Sequence, residues 1–273
     1  MNFLVLLLVA MILLWTPWRT GYPRDVLQPW VARAAGSDRA WAGALVLLAL
    51  LVPVWLLLWV LEGHAYGLFT LVLHVGVLLL SVGRHDPLAG MNADFLAAWQ
   101  RHDQAAAALV AEQQLGITAE HADDLLAAVR GRMVTASLQD YFVPAFWYLL
   151  LGPLGALGYR LLELACRREG RPVARPAATL VHALEWIPAR LLALSFALVG
   201  QFDTTLRTLR SLAADWELAG GELVNRCARA ALVPEPDSVS DPDQQEPLSD
   251  TRQLLVRAIL TWAVVIAFLS MLG

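Results

Sequence analysis

The sequence predicts an all-α, polytopic membrane protein with about four full spans, a broken or re-entrant helix pair and a helical portion in the cytosol. Of its 273 residues, 58% are hydrophobic and only 16% are charged, and the mean hydropathy of +0.55 is too high for a soluble chain. Several apolar runs approach or reach the ~20 residues that cross a bilayer as a helix. The net charge of -4, with arginines scattered among acids, argues against a nucleic-acid partner.

Residues 1–83 are predicted to form N-terminal membrane helices. Residues 2–16 are apolar but short, which indicates a thin, uncleaved anchor, and arginines after this run place the N-terminus outside. Residues 41–61 form the clearest span, and residues 66–82 follow after a short turn, which favours an antiparallel hairpin. His74 lies in the middle of the third run. We interpret it as a neutral imidazole bonded to a neighbouring helix, the alternative being a functional intramembrane group.

Residues 84–140 are more polar and predict a cytosolic helical hairpin. Its helices are expected at residues 91–115 and 118–138, separated by Gly116 as a helix stop, with Thr118 as the N-cap of the second. One apolar stripe on the second helix predicts a packed face rather than a cofactor site. The stripe consists of Leu125, Leu126, Val129 and Met133.

Residues 141–200 predict a broken pair of membrane helices. Prolines and glycines interrupt residues 141–165, and Pro188 interrupts residues 179–200 between Glu185 and Arg190. Unwound backbone at membrane depth must be buried in protein or line a cavity. Arginines between the two segments favour a cytoplasmic loop and therefore a re-entrant pair. The alternative is that both segments cross fully and the loop lies in the periplasm.

The remaining segments are an amphipathic helix at residues 201–232 that is interrupted near Gly220-Gly221, an acidic linker at residues 233–251 and a C-terminal membrane helix at residues 252–273. The arginines of the amphipathic helix fit either the anionic inner leaflet or a solvated surface. The linker is rich in proline, serine and acids, which predicts a segment without a packed core. Cys166 and Cys227 lie beside arginines assigned to the cytosol, so both are expected to be free thiols.

Three short motifs in the broken pair resemble those of the AmpE and CbiB/CobD membrane protein superfamily. They are Val143-Pro-Ala-Phe-Trp147, Gly155-Ala-Leu-Gly-Tyr-Arg160 and Glu185-Trp-Ile-Pro-Ala-Arg-Leu191. The resemblance covers most of the chain and is closest from about residue 100 to 210. It implies one of two functions. CbiB/CobD members attach the aminopropanol phosphate arm during cobalamin biosynthesis, whereas AmpE is associated with AmpD in regulating β-lactamase induction.

Departures from the cobalamin branch favour the AmpE branch. In register with that branch, its acidic and asparagine residues fall on Gln139, Glu163, Cys166, Val181 and His182. A phosphate-bearing substrate handled through a metal requires hard oxygen ligands, and glutamine, cysteine and valine do not replace carboxylates. We therefore predict no catalytic residues, no metal site and no cofactor.

The leading hypothesis is a non-catalytic regulatory modulator in the bacterial inner membrane, linked to cell-wall recycling and β-lactamase induction. The alternatives are a membrane-bound cobalamin-biosynthesis enzyme and a small transporter of an anionic wall fragment. The expected partners are the lipid bilayer and either an anionic wall-derived ligand or another membrane protein. With Asp140 and His182 nearby, the hypothetical ligand site contains seven residues: Trp147, Tyr159, Arg160, Glu163, Glu185, Trp186 and Arg190. The alternative is a structural Arg–Glu network.

Overall fold

The computed structural model describes residues 2–15, 25–36, 39–61, 67–83, 86–88, 92–119, 121–168, 170–233 and 248–272. This part of the chain consists of helices and turns, without strands. Four helical stretches are long and apolar enough to cross a membrane: Ala40–Leu61, Ala122–Cys166, Ala174–Val199 and Ser249–Met271. The prediction of an all-α, multi-pass membrane protein is confirmed.

The helices are numbered here in chain order. They are α1 (Asn2–Trp15), α2 (Gln28–Ala35), α3 (Ala40–Leu61), α4 (Leu68–Ser81), α5 (Ala93–Gln100), α6 (Gln104–Val110), α7 (Ala122–Ser137), α8 (Val143–Cys166), α9 (Ala174–Val199), α10 (Phe202–Leu212), α11 (Gly220–Ala231) and α12 (Ser249–Leu272). Two π-helical turns, Ala111–Leu115 and Leu138–Phe142, follow α6 and α7. The chain divides into two compact units: a first unit of Met1–Arg84, Gln139–Pro188 and Leu269–Gly273, and a second unit of His85–Leu138 and Ala189–Phe268.

Helix α8 is the centre of the first unit, because α1, α2, α3 and α4 all pack against it. The 22-residue α3 is about 33 Å long at 1.5 Å per residue, so the predicted span at residues 41–61 is confirmed. Helices α1 and α4 have only 14 residues each and are shorter than a full span. The turn predicted between α3 and α4 lies outside the described residues.

The two segments with internal prolines differ from each other. Helix α8 is broken at Gly152, whose φ of 68° and ψ of -159° are not helical, as the sequence predicts. Helix α9 instead runs through Pro188, where the sequence predicted an interruption. A proline frees the carbonyl four residues before it. Here that carbonyl belongs to Leu184, and it accepts a hydrogen bond of 3.1 Å from the Trp147 indole Nε1. Because the freed acceptor is satisfied, the helix continues.

In the second unit, the predicted helix at residues 91–115 is divided into α5, α6 and a π-helical turn. The break between α5 and α6 contains His102, a non-glycine residue with a φ of 58°. Asp103 then caps α6, because its Oδ1 accepts a hydrogen bond from Ala106 N at 2.9 Å. Gly116 is left-handed at a φ of 67° and ends this segment, which confirms the predicted stop. The predicted N-cap at Thr118 is wrong. Helix α7 begins at Ala122, with two aspartates in its first turn, where the helix dipole favours negative charge.

The packed stripe predicted on α7 is confirmed at three of its four positions, since Leu125, Val129 and Met133 are at most 3% exposed, whereas Leu126 is only partly buried. The amphipathic segment expected at residues 201–232 consists of the two helices α10 and α11, and α11 begins at the predicted interruption. Helix α12 matches the predicted last span. Nearly all of the predicted acidic linker, residues 234–247, lies outside the described residues.

Candidate functional site

A buried arginine in α8 contacts three carboxylates within the first unit. Arg160 is only 6% exposed. Its Nη2 lies 2.7 Å from Asp25 Oδ2, and its Nη1 lies 2.7 Å from Glu163 Oε2 and 3.5 Å from Asp140 Oδ1. We call these four residues the Arg160 cluster. One guanidinium thus brings together side chains from the segment before α2, from the π-helical turn before α8 and from α8 itself.

Local contacts position each of the three carboxylates beside Arg160. Glu163 is three residues further along α8, a spacing that places two side chains on one helix face. The Asp25 side chain is oriented by Leu27, whose backbone N–H donates to Asp25 Oδ1 at 3.0 Å. Asp140 packs directly on Gly83, and a Cβ at Gly83 would overlap the Asp140 carboxylate. The absence of a side chain at Gly83 is therefore a requirement of the cluster.

The cluster and its immediate neighbour carry more negative than positive charge. Glu163 Oε1 also accepts from Arg167, a half-exposed side chain one turn later. Three carboxylates thus face two guanidinium groups, and only Arg160 is buried. An incoming anion would have to displace a carboxylate to reach either terminal nitrogen of Arg160, while the buried Nε has no hydrogen-bond partner among the described residues. The geometry favours a structural role for the cluster, in which the ion pairs stabilise the fold, because removing one member of a buried ion pair leaves an uncompensated charge.

A second polar network in the first unit connects α8 with α9 through Glu185, which is 5% exposed. Glu185 Oε1 accepts from the Tyr159 hydroxyl at 2.8 Å and from Gln139 Nε2 at 3.1 Å. In the register that the sequence resemblance implies, Gln139 falls where the cobalamin branch carries an acid. An ionised acid at this position could not donate to Glu185, whereas the glutamine amide does.

Five of the seven predicted site residues take part in hydrogen bonds of the first unit, and Arg190 makes its hydrogen bonds elsewhere. Trp147, Tyr159, Arg160, Glu163 and Glu185 all take part in the bonds of the first unit described above. Trp186 is partly buried. Arg190 belongs to the second unit, where its Nε and Nη2 donate to the carbonyls of Ala213 and Asp215 at 2.8 and 2.7 Å. The Arg–Glu network is therefore present, and ligand binding stays a prediction.

Sequence reasoning missed three contributors to this site: Asp25, Gly83 and the bond made by Gln139. Asp25 is 135 residues from Arg160 in the chain, and no periodicity connects two positions so far apart. The need for a glycine at position 83 is visible only in the structure, where the Asp140 carboxylate occupies the space that a Cβ would take. Among the described residues, no group of three or more His, Cys, Asp or Glu side chains is arranged to hold a metal ion.

The histidine in the third apolar run is paired as predicted. His74 in α4 lies 2.9 Å from the Tyr148 hydroxyl in α8, measured from the imidazole Nδ1. Both side chains are buried, and their rings meet edge to face at 5.9 Å between centroids. The prediction that His74 bonds to a neighbouring helix is confirmed.

Comparison with known proteins gives two kinds of match. The family model described as "Regulatory signalling modulator protein AmpE" matches residues 34–273. Protein AmpE of Shigella flexneri is 25% identical over 233 residues, covering 80% of each chain. The cobalamin biosynthesis protein CobD of Stutzerimonas stutzeri (strain A1501) is 29% identical over 224 residues, covering 76% of this chain and 70% of that protein. No solved structure matches.

Proposed function

Because the chain belongs to the AmpE family of regulatory membrane proteins, we propose that it is a non-catalytic modulator in the bacterial inner membrane, linked to cell-wall recycling and β-lactamase induction. The regulatory part of this proposal follows the family, whose model covers residues 34–273. The link to β-lactamase induction follows from the resemblance to AmpE in the motifs of α8 and α9.

The observation that carries the non-catalytic part is the bond between Gln139 and Glu185. In the cobalamin branch the position of Gln139 is acidic, and an acid there could share a cation or a proton with substrate. In this chain the amide donates to Glu185 Oε1 at 3.1 Å, and the Tyr159 hydroxyl donates to the same oxygen at 2.8 Å. The three carboxylates of the Arg160 cluster are likewise engaged with one guanidinium. The acids of the motif region thus hold helices together.

The negative charge of the Arg160 cluster also helps to decide what kind of partner the first unit binds. An anionic wall-derived ligand at Arg160 would meet three carboxylates within 3.5 Å of the guanidinium, which opposes anion binding by charge repulsion. We therefore favour another membrane protein as the partner of this unit, contacted from within the bilayer. Trp147, Tyr159 and Glu185 are then positioning residues that keep α8 and α9 in a defined arrangement. Arg160 and Glu163 belong to the cluster that holds Asp25 against α8.

The proposal is tested by deleting the gene in its host and measuring β-lactamase activity with and without an inducing β-lactam. We expect the ratio of induced to uninduced activity to change and to return to normal when the gene is supplied on a plasmid. An unchanged ratio in the deletion strain would contradict the link to β-lactamase induction.

The second candidate is a cobalamin-type amide synthase, favoured by the 29% identity to CobD. It is tested by expressing the chain in a strain that lacks its own synthase and requires cobalamin for growth, with Stutzerimonas stutzeri CobD as the positive control. We expect CobD to restore growth and this chain to fail at an equal level in the membrane. Restored growth would establish the synthase and overturn the non-catalytic proposal.

A further inference from the structure

A set of arginines at one end of the first unit takes no part in the Arg160 cluster or in the Glu185 network. The set is formed by α2 and by the connection between α8 and α9 together with the first turn of α9. Three of its side chains are exposed and one is half-buried. We call the four residues the basic surface: Arg33, Arg168, Arg171 and Arg175.

Buried contacts bring the two parts of the basic surface together. Val31 and Ala34 of α2 belong to the same apolar core as Val173, the residue just before α9. Arg168 Nη2 also lies 3.5 Å from the carbonyl oxygen of Gln28, at the start of α2. Because Val173 is only 3% exposed, the connection between α8 and α9 is anchored against α2.

The four arginines keep their positive charge. Arg33 stacks over the Trp30 ring at 4.9 Å from its centroid, and Arg168 faces a backbone carbonyl. Neither contact neutralises a cation. Arg171 and Arg175 are exposed, and neither forms an ion pair with a described residue.

Few acids oppose this charge. Arg167 is left out of the basic surface because Glu163 balances it. In the sequence, Glu169 is the one acid between α8 and α9, and Asp38 and Arg39 cancel in formal charge between α2 and α3. Helix α2 itself contains no acid. Four arginines therefore face one acid, and the basic surface favours an anionic partner.

The basic surface lies where three apolar helices end. Helix α8 ends at Cys166, α9 begins at Ala174 and α3 begins at Ala40, and all three belong to stretches that are long and apolar enough to cross a membrane. A Cβ on Gly43, in the first turn of α3, would lie 3.2 Å from the Val173 Cβ, so these helix ends are neighbours. Lipid headgroups lie at the ends of membrane spans.

Exposed apolar side chains continue from the basic surface. Leu180 and Ile187 of α9 are 51% and 46% exposed and follow Arg175 by about one and three turns. Trp30 is 48% exposed beside Arg33, and indole rings favour the headgroup level. An anion with an attached apolar chain fits this arrangement better than a soluble anion does.

We propose that the basic surface binds the headgroup of an anionic phospholipid, with phosphatidylglycerol as the type. Guanidinium groups bind phosphate oxygens in a bidentate manner, and basic segments next to membrane spans are attracted to anionic lipid. The phosphate lies against Arg171 and Arg175, and an acyl chain follows the exposed face of α9 past Leu180. This site is independent of the proposed regulatory role.

The test is native mass spectrometry of the full-length protein in detergent micelles that contain equal amounts of dioleoyl phosphatidylglycerol and dioleoyl phosphatidylcholine. The two lipids have the same chains and differ in net charge. The variant combines Arg171→Gln with Arg175→Gln. The matched control combines Arg207→Gln with Arg210→Gln, which removes two exposed arginines of α10 and changes the net charge equally.

We expect the wild type and the control to retain phosphatidylglycerol in preference to phosphatidylcholine. The Arg171/Arg175 variant should lose this preference by roughly fivefold for each arginine removed. Its melting temperature should equal that of the wild type, because neither side chain has an ion pair to lose.

Three results would overturn the proposal. The first is equal retention of the two lipids by the wild type, and the second is an unchanged preference in the Arg171/Arg175 variant. The third is an equal loss in the control, which would assign the preference to net charge rather than to this surface. A lower melting temperature of the Arg171/Arg175 variant would show that these arginines stabilise the fold instead of binding lipid.

Discussion

Replacing Arg160 with methionine removes the only buried cation of the Arg160 cluster and should destabilise the first unit strongly. The side chain is 6% exposed, and two carboxylate oxygens lie 2.7 Å and a third 3.5 Å from its guanidinium nitrogens. Methionine fills a similar space but leaves Asp25, Asp140 and Glu163 without this partner. Breaking a buried ion pair on one side costs about 3–5 kcal/mol. Because native proteins are stable by about 5–15 kcal/mol, most of the margin would be lost.

Arg167→Met is the matched control, because Arg167 is on the same helix and pairs with Glu163 as well. The Arg167 side chain is 51% exposed, so its ion pair is screened by water and is worth at most about 1 kcal/mol. The assay is unfolding of the full chain in mixed micelles with increasing sodium dodecyl sulfate, followed by tryptophan fluorescence. We expect a large loss of unfolding free energy for Arg160→Met and a small loss for Arg167→Met.

A double substitution tests whether charge is the cause. Adding Asp25→Asn to Arg160→Met removes one of the uncompensated carboxylates and should recover part of the lost stability. If Arg160→Met and Arg167→Met differ by less than about 0.5 kcal/mol, the cluster does not stabilise the fold and the reasoning from burial is refuted.

Three further predictions concern other parts of the molecule. Gly83→Ala should lower the free energy of unfolding by about 1–3 kcal/mol, because the new Cβ overlaps the Asp140 carboxylate. In the control Gly76→Ala the new Cβ meets nothing within 4 Å, so this variant should be neutral or slightly stabilising. Equal unfolding curves for the two variants would contradict this prediction. Tyr148→Phe should lower the free energy of unfolding by about 1–3 kcal/mol, because it leaves His74 without its hydrogen-bond partner. Adding His74→Leu to the same chain should restore much of this loss in the same unfolding assay. No recovery in the double variant would count against the hydrogen bond. Burial raises the pKa of the Cys227 thiol from about 9 to about 11, so the folded protein retains this proton where the unfolded chain releases it, and stability should fall as the pH rises through that window. Cys227→Ala should remove this part of the pH dependence, and an identical pH profile for the wild type and the variant would refute the assignment.

The helices and the internal partner of His74 could be predicted from sequence because they depend on local properties. Runs of apolar residues identify α3 and α12, and the cost of an unpaired imidazole at membrane depth predicts a partner for His74. The break in α8 follows from Gly152 next to Pro153, where backbone freedom and a missing donor coincide. In each case the deciding information lies within a few residues.

The composition of the site could be predicted only in part because its contacts are long-range. The Arg160–Glu163 pair is visible as an i, i+3 spacing, but Asp25 approaches from a distant segment. Pro188 likewise shows that a long-range contact can override what the local sequence predicts. Its local effect is to interrupt a helix, and the helix continues because the Trp147 indole, 37 residues from Leu184, satisfies the freed carbonyl. Arg190 shares a motif with Glu185, yet its hydrogen bonds are to carbonyls beyond α10.

The claim at the centre of the account is that this chain regulates β-lactamase induction and that the Arg160 cluster supports that role. The most direct measurement is the ratio of induced to uninduced β-lactamase activity in the deletion strain, complemented with the wild type, Gly76→Ala or Gly83→Ala. We expect the wild type and Gly76→Ala to restore the ratio, and we expect Gly83→Ala to fail because its Cβ would overlap the Asp140 carboxylate of the cluster. Full restoration by Gly83→Ala, or no effect of the deletion itself, would contradict the account.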